Sequence, residues 1–512
     1  MAQHEERPTR GVVLPTGHTG SSLFHSLLTQ AAAEFPGALG AVELPRSSGP
    51  FKREYGDILA RFESARVVAP ERVDIARFLV KKSQGSLEFA EPDRRIPLDE
   101  YLATSAETPS LTSLELGVGD GFRPELTFDG QIHRGRSVCA LADRMAEAQH
   151  MTKAARDALH WIVEYIESQG GSLDLRGQNF VVLGAGAELA ATRLLLSAGA
   201  RVLFIDVADS AQLLVNSAGL TGTLVTPSNS GNLLEQPREV LAAIRAFAQE
   251  HGPVHLSMFA YASGSSQEWR LGSAMTAIAT HLPAELLKSV TMLVSPTTAA
   301  SLQPESLEAA RSGLRNGARW KAALWRTGIL GAPGHIAHHG SAVARATVSI
   351  QGLSYQAAQY IAKLAAAETF AVYGNDLAAT ERRPLTVSAN VAGITRTRSL
   401  AHPLFQAAFI GAPHFGVRIF DPVETRGLSG LLILHDLLNP ASPGAAGVQP
   451  TDVRKKAAGL LSQQVHGGIY SLPYVLEHAI RIAALIGMGR KPSLLLGGKS
   501  AKPAGLVNQA PA

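Results

Sequence analysis

The chain's 512 residues are 46% hydrophobic and 18% charged, which excludes a disordered or fibrous protein and leaves material for two or three domains. Its 47 Lys and Arg against 43 Asp and Glu leave a net charge of +4, too near balance for a general nucleic-acid binder. The single cysteine, Cys139, excludes a disulfide framework and a cysteine-based metal site, and is expected to be buried.

The opening MAQHEERPTR lacks the apolar core of a signal peptide, and no later apolar run reaches the roughly eighteen residues of a membrane span. A soluble cytoplasmic protein is expected. GVVLPTGHTGSSLFHSLLTQAAAE predicts a short strand, a Gly-rich turn and a helix, and GALGAVELP a further strand. GHTGSS has no Lys after its glycines and is not a P-loop. ARVVAPERVDIARFLVKK and ELTFDGQIHRG carry weaker strand and helix signals. ALADRMAEAQHMTKAARDALHWIVEYIESQGG holds apolar residues at helical spacing and predicts one long helix ending at Gly170-Gly171. A boundary there makes residues 1–170 an additional N-terminal domain, α/β or α+β, of unassigned role.

From residue 177 strands and helices alternate. NFVVLGAG, RVLFIDV, GTLVTP, VHLSMFAYASG and SVTMLVSPTTA predict strands. AELAATRLLLSAG, ADSAQLLVNSAG, PREVLAAIRAFAQEHG and GSAMTAIATHLPAELLK predict helices. This alternation implies right-handed crossovers and an α/β, doubly wound parallel sheet. Residues 490–512, rich in Lys, Pro and Gly, predict a disordered tail.

VVLGAGAELAATRLL has the pattern of a nucleotide-binding turn: an apolar strand, Gly184 and Gly186, then a helix whose free N–H groups can hold a diphosphate. Asp206 ends the next strand, where a carboxylate accepts the adenine-ribose hydroxyls and repels a 2′-phosphate, so NAD is favoured over NADP. Together these predict a Rossmann unit. Glu188 is the awkward residue. In a first helical turn it suits the helix dipole, but aimed at the diphosphate it opposes binding, and the sequence leaves its direction open.

TMLVSPTTA ends a strand at Ser295, and SYQAAQYIAKLAAAE sets Tyr355, Tyr360 and Lys363 on one helix. VSANVAGITRTRS supplies Gly393 and, four residues on, Thr397; VHGGIY supplies Gly467-Gly468. With the glycine turn, these marks over roughly residues 177–475 resemble the short-chain dehydrogenase/reductase superfamily. The resemblance implies catalytic roles for Ser295, Tyr355 and Lys363. It also implies cofactor contacts from Gly184, Gly186, Glu188, Asp206, Gly264, Lys363 and Thr397. Several marks depart from the family. Glu188 and Ala190 stand where its second and third glycines belong, and Ala392 replaces a Pro. Ala262-Ser263-Gly264 stands for Asn-Asn-Ala-Gly, and an insertion separates Ser295 from Tyr355. Gln359 occupies the family's usual Tyr position, while the longer Tyr355–Lys363 spacing is similar to the enoyl-thioester reductase branch without matching it.

These residue types suit hydride transfer. A phenol can protonate the oxyanion left on a reduced carbonyl, an ammonium lowers the phenol's pKa, and a Ser hydroxyl gives a second hydrogen bond. The insertion, at about 301–350, is basic: no Asp or Glu occurs from 309 to 367. Arg311, Arg315 and Arg319 predict a helix stripe with Trp320 and Trp325 interleaved, beside the site's mouth. Such a face suits an acyl carrier's anionic groups or a peripheral membrane contact, or is simply a solvated helix face. His335, His338 and His339 lack a carboxylate partner, and no metal is expected. The combined expectation is an NAD(P)-dependent oxidoreductase that reduces a ketone or activated alkene on an acyl, lipid or polyketide-like substrate, free or carrier-bound. A homo-oligomer without nucleic acid is expected. The alternative is a non-catalytic Rossmann scaffold with a basic protein- or membrane-binding surface.

Overall fold

The computed structural model describes residues 10–117, 119–214, 219–262, 266–379, 383, 385–397, 400–446 and 457–496. Seven strands build the central sheet: β1 (Leu111–Glu115), β2 (Asn179–Leu183), β3 (Arg201–Ile205), β4 (Thr223–Pro227), β5 (Val254–Met258), β6 (Leu287–Val294) and β7 (Thr386–Val391). Their spatial order is β7-β6-β5-β2-β3-β4-β1. β2 to β7 pair in parallel, while β1 adds an antiparallel edge beside β4, with Leu111 opposite Pro227. The protein is therefore α/β, with an order compatible with a Rossmann-like fold. The order reverses between β2 and β5, and a crevice opens there at the strands' carboxyl ends.

The strands are legible because both faces are covered. NFVVL of β2 is buried throughout, as a parallel strand between two helical layers must be. Alternate residues face opposite ways. Val181, Leu183, Leu203 and Ile205 join one apolar cluster, and Phe180, Val182, Val202 and Phe204 join the other.

The first 170 residues supply much of both layers rather than gathering a core of their own. Helices Gly20–Glu34, Ser48–Val68 and Arg72–Gly85 share the first cluster with helices Gln267–His281 and Leu353–Leu364. Phe24 makes edge contacts with Phe51, Trp269 and Tyr360, at centroid distances of 6.1, 5.9 and 6.0 Å. Helices Arg136–Glu147 and Lys153–Ser168 fill the opposite layer with Pro422–Leu438. The expected boundary near 170 thus does not divide the core.

Other elements also differ from expectation. GALGAVELP forms no strand; Pro36–Leu39 is a helical turn. The expected long helix breaks in two because Gln149 adopts φ 59° and the Thr152 hydroxyl accepts the Ala155 N–H, starting a new helix. In the helix-like stretch after β3 only Ala211–Leu214 is helical among the described residues. Shortly before Gly467-Gly468 an isolated parallel bridge joins Val391 to Gln464. Cys139 is partly exposed. The C-terminal helix reaches Arg490, a turn follows at Ser493–Leu496, and the rest of the expected tail lies outside the described residues.

The basic insertion folds as helices Pro304–Asn316 and Arg319–Arg326, then a hairpin of His335–His338 and Ser341–Ala344. Arg319 opens the second helix, so the three arginines form no single stripe, and Arg315 is paired with Glu308. Trp320 packs on Phe415 and Trp325 on Tyr474. No helix among the described residues is long and apolar enough to cross a membrane, and no three His, Cys, Asp or Glu side chains among them could hold a metal ion.

Candidate functional site

The glycine turn lies at the crevice, but its polar groups are engaged. Gly184 has φ +81°, and a Cβ there would lie 2.3 Å from the Ala260 nitrogen. The glycine is thus required by the close passage of the loop after β5. Gly184→Ala is expected to destabilise the fold by about 2 kcal/mol or more, readable as a lower urea midpoint at unchanged slope. The Gly186 N–H donates to Asp206 Oδ2 at 2.8 Å, and the Ala208 N–H to Asp206 Oδ1 at 2.8 Å. The following helix begins only at Thr192 and runs six residues. Glu188 does not point into an open cradle: its carboxylate accepts the Tyr261 hydroxyl at 2.9 Å, and its carbonyl accepts Arg426 at 3.2 Å.

These contacts do not fit a dinucleotide's diphosphate. The amide that would meet it holds Asp206, the helix start has moved away, and the Glu188–Tyr261 bond ties the β2 side of the crevice to the β5 side. The expectation of an NAD site built on Gly184, Gly186, Glu188 and Asp206 is corrected accordingly, and NADP would meet the same obstruction. Gly264 lies outside the described residues.

A cavity of about 560 Å³ does open above the carboxyl ends of β5, β6 and β7. Ser295, Tyr355, Gly393 and Thr397 all line it, together with Thr297, Gln359 and Glu268. Ser295 follows the last residue of β6, and Tyr355 and Gln359 face the cavity from successive turns of helix Leu353–Leu364. Tyr355 donates to Ser295 Oγ at 3.3 Å, and Ser295 Oγ lies 2.9 Å from Thr297 Oγ1. Thr297 donates in turn to Gln351 at 2.8 Å. Burial, and then the nearby Glu268, hold the Tyr355 phenol well above its ordinary pKa, so it stays protonated.

Gln359 joins the two sides of the cavity. Its Oε1 accepts the Ser295 N–H at 3.3 Å, and its Nε2 donates to Glu268 Oε1 at 2.7 Å. The Ala262 N–H donates to Glu268 Oε2 at 2.8 Å. Burial pushes the Glu268 carboxyl up to about 7, against the opposing pull of these two hydrogen bonds. A narrower apolar slot of about 40 Å³ runs beside the cavity, between helices Pro403–Gly411 and Leu476–Arg490; it shares Thr297, Gln351, Ile394, Leu400 and Phe405 with it.

Lys363 is not at this cavity. Eight residues beyond Tyr355, or about 12 Å along the helix, it is 2% exposed and donates to Glu63 Oε1 at 2.7 Å and to the Ala299 carbonyl. Glu63 also accepts Tyr360 at 2.6 Å and Arg66, and Arg66 bridges on to Glu368, which Arg72 meets from its other side. The expected catalytic and ribose-binding roles of Lys363 are corrected: it braces the loop that carries Ser295 and Thr297. Tyr360 sits in the same buried cluster and takes no place in the cavity.

Glu268 escapes a reading of the sequence because an acid in a helix's first turn already has an explanation in the helix dipole. Gln359 enters such a reading only as the wrong residue at a Tyr position. No protein-family model matches the chain, and no curated protein matches it.

Proposed function

We propose that this chain is an enzyme that binds a largely apolar carbonyl compound, with Tyr355 and Ser295 holding the carbonyl oxygen. The observation that carries the reading is their convergence, 3.3 Å apart, in a cavity otherwise walled by residues such as Met258, Met275, Met292 and Leu293. Turned from their present partners, Ser295 Oγ and Thr297 Oγ1, onto a bound carbonyl oxygen, the two hydroxyls would favour the charge that builds on it as it reacts, and do so more strongly where apolar walls exclude water. The adjoining slot, about 40 Å³ and apolar, suits a short apolar substituent rather than a charged one.

A second reading keeps reduction of a ketone or activated alkene by a nicotinamide cofactor. It is favoured by Ser295, Tyr355, Gly393 and Thr397 sharing one cavity, and it requires both the Glu188–Tyr261 contact and the Gly186–Asp206 hydrogen bond to open. The test incubates the protein with cyclohexanone, 2-decalone and 2-cyclohexenone, with and without NADH or NADPH, following the ketone by mass spectrometry and the cofactor by absorbance. Tyr355→Phe is expected to lower kcat/KM by about 10²–10³-fold with binding little changed. Loss of reduced cofactor with the ketone would select the reductase reading. Failure of all three ketones to bind would leave the non-catalytic scaffold.

A further inference from the structure

We propose that Glu268 is the proton-transfer residue of this cavity, removing a proton from the carbon beside the carbonyl that Tyr355 and Ser295 hold. The inference rests on the carbonyl-binding reading above and adds the reaction. Its starting point is a contrast among the buried acids. Glu63, Glu368 and Glu424 each face an arginine, and Asp436 faces His435 and accepts from Ser388, Asn390, Ser442 and Gln463, compensated as a carboxylate withdrawn from water normally must be. Glu268 is as withdrawn, at 7% exposure, yet its two hydrogen bonds come from neutral donors, the Ala262 N–H and the Gln359 amide. The N-terminal end of its own helix favours the charge, without the arginine that Glu63, Glu368 and Glu424 have, and the carboxyl lies on the cavity wall.

The two bonds fix the carboxyl without using all its lone pairs, so it can still accept a proton. Gln359 holds Glu268 with one end and the Ser295 amide with the other, setting the base and the oxygen-binding group in fixed register. The step balances without an oxidant or reductant. A Glu268 oxygen takes the α-proton, the C–H electron pair becomes the carbon–carbon double bond, and the carbonyl π pair moves onto oxygen. Tyr355 and Ser295 hydrogen-bond that enolate oxygen. Protonated Glu268 trades its proton with solvent and delivers one to the same carbon, giving exchange, or to the γ-carbon of the dienolate formed from a β,γ-unsaturated ketone, giving a shifted double bond. A carboxyl titrating near neutrality is suited to both halves of the cycle.

The experiment uses the full chain with 2-decalone and 2-cyclohexenone in deuterated buffer, reading deuterium uptake by mass spectrometry and ketone binding by calorimetry. The wild type should exchange faster than buffer. Glu268→Gln should lower that exchange by about 10²–10⁴-fold while still binding ketone, and Glu268→Asp should restore part of it. Wild-type exchange rates in Glu268→Gln would overturn the proposal, as would binding of ketone by the wild type with no exchange above buffer. The latter result leaves the carbonyl-binding reading standing, whereas absence of binding to either ketone removes both.

Discussion

Arg66→Leu is expected to lower the unfolding free energy by about 3 kcal/mol or more. Arg66 is fully buried and gives two hydrogen bonds to Glu63 and two to Glu368. Removing it leaves Lys363 facing Glu63 and Arg72 facing Glu368, with the charge between the two acids gone. Each carboxylate was taken out of water on the strength of that shared cation, so the loss is the exposed desolvation penalty rather than one ion pair's worth. Urea unfolding should show a lower midpoint at unchanged slope. The acid side follows from the same pairing. Arg66 and Arg72 hold Glu368 down to about 2, and Arg66 and Lys363 hold Glu63 lower still. That stability is present above the ordinary carboxylate range and is lost as pH falls toward 2; in Arg66→Leu the loss should begin at higher pH.

Glu268→Gln should act in the opposite sense. Burial raises the folded-state pKa from 4.5 to about 7, so between those values the folded chain binds more protons than the unfolded one. Stability is then greatest below the ordinary carboxylate pKa and falls as pH rises through 7, by up to about 3 kcal/mol from this group. Glutamine can keep the side-chain length and does not titrate. The variant should therefore be more stable than the wild type at pH 8.5 and close to it at pH 4.5, as measured by thermal midpoints. Equal stability at both pH values would show that the buried carboxyl carries no strain. A site acid that weakens the fold in its charged form is the usual mark of function held at the expense of stability.

The sheet was legible because parallel strands between helical layers must be continuously apolar, and NFVVL and RVLFI are. The alternation implied parallel pairing through right-handed crossovers, but not the strand order or the antiparallel edge that Leu111–Glu115 adds. The role of residues 1–170 was not legible, since nothing local in Phe24 says that its neighbours will be Trp269 and Tyr360. Ser295, Tyr355, Gly393 and Thr397 were singled out only by the resemblance to the short-chain dehydrogenases, and the fold brings them to one cavity. Lys363 failed for the same reason as the domain boundary. Its helical spacing from Tyr355 was readable, but the carboxylate that claims it is 300 residues away in sequence. At the glycine turn, composition alone could not show that Asp206 takes the Gly186 amide or that Tyr261 takes Glu188.

The sequence separation of 302 between Arg66 and Glu368 also sets the order in which the chain can fold. Helix Ser48–Val68 leaves the ribosome early, carrying a guanidinium and a carboxylate meant for the interior, and its partners on the Leu353–Leu364 helix and the turn after it are made far later. Until then its apolar side has no sheet to cover. Contacts of such long range slow closure and leave apolar surface uncovered until the second half of the chain arrives.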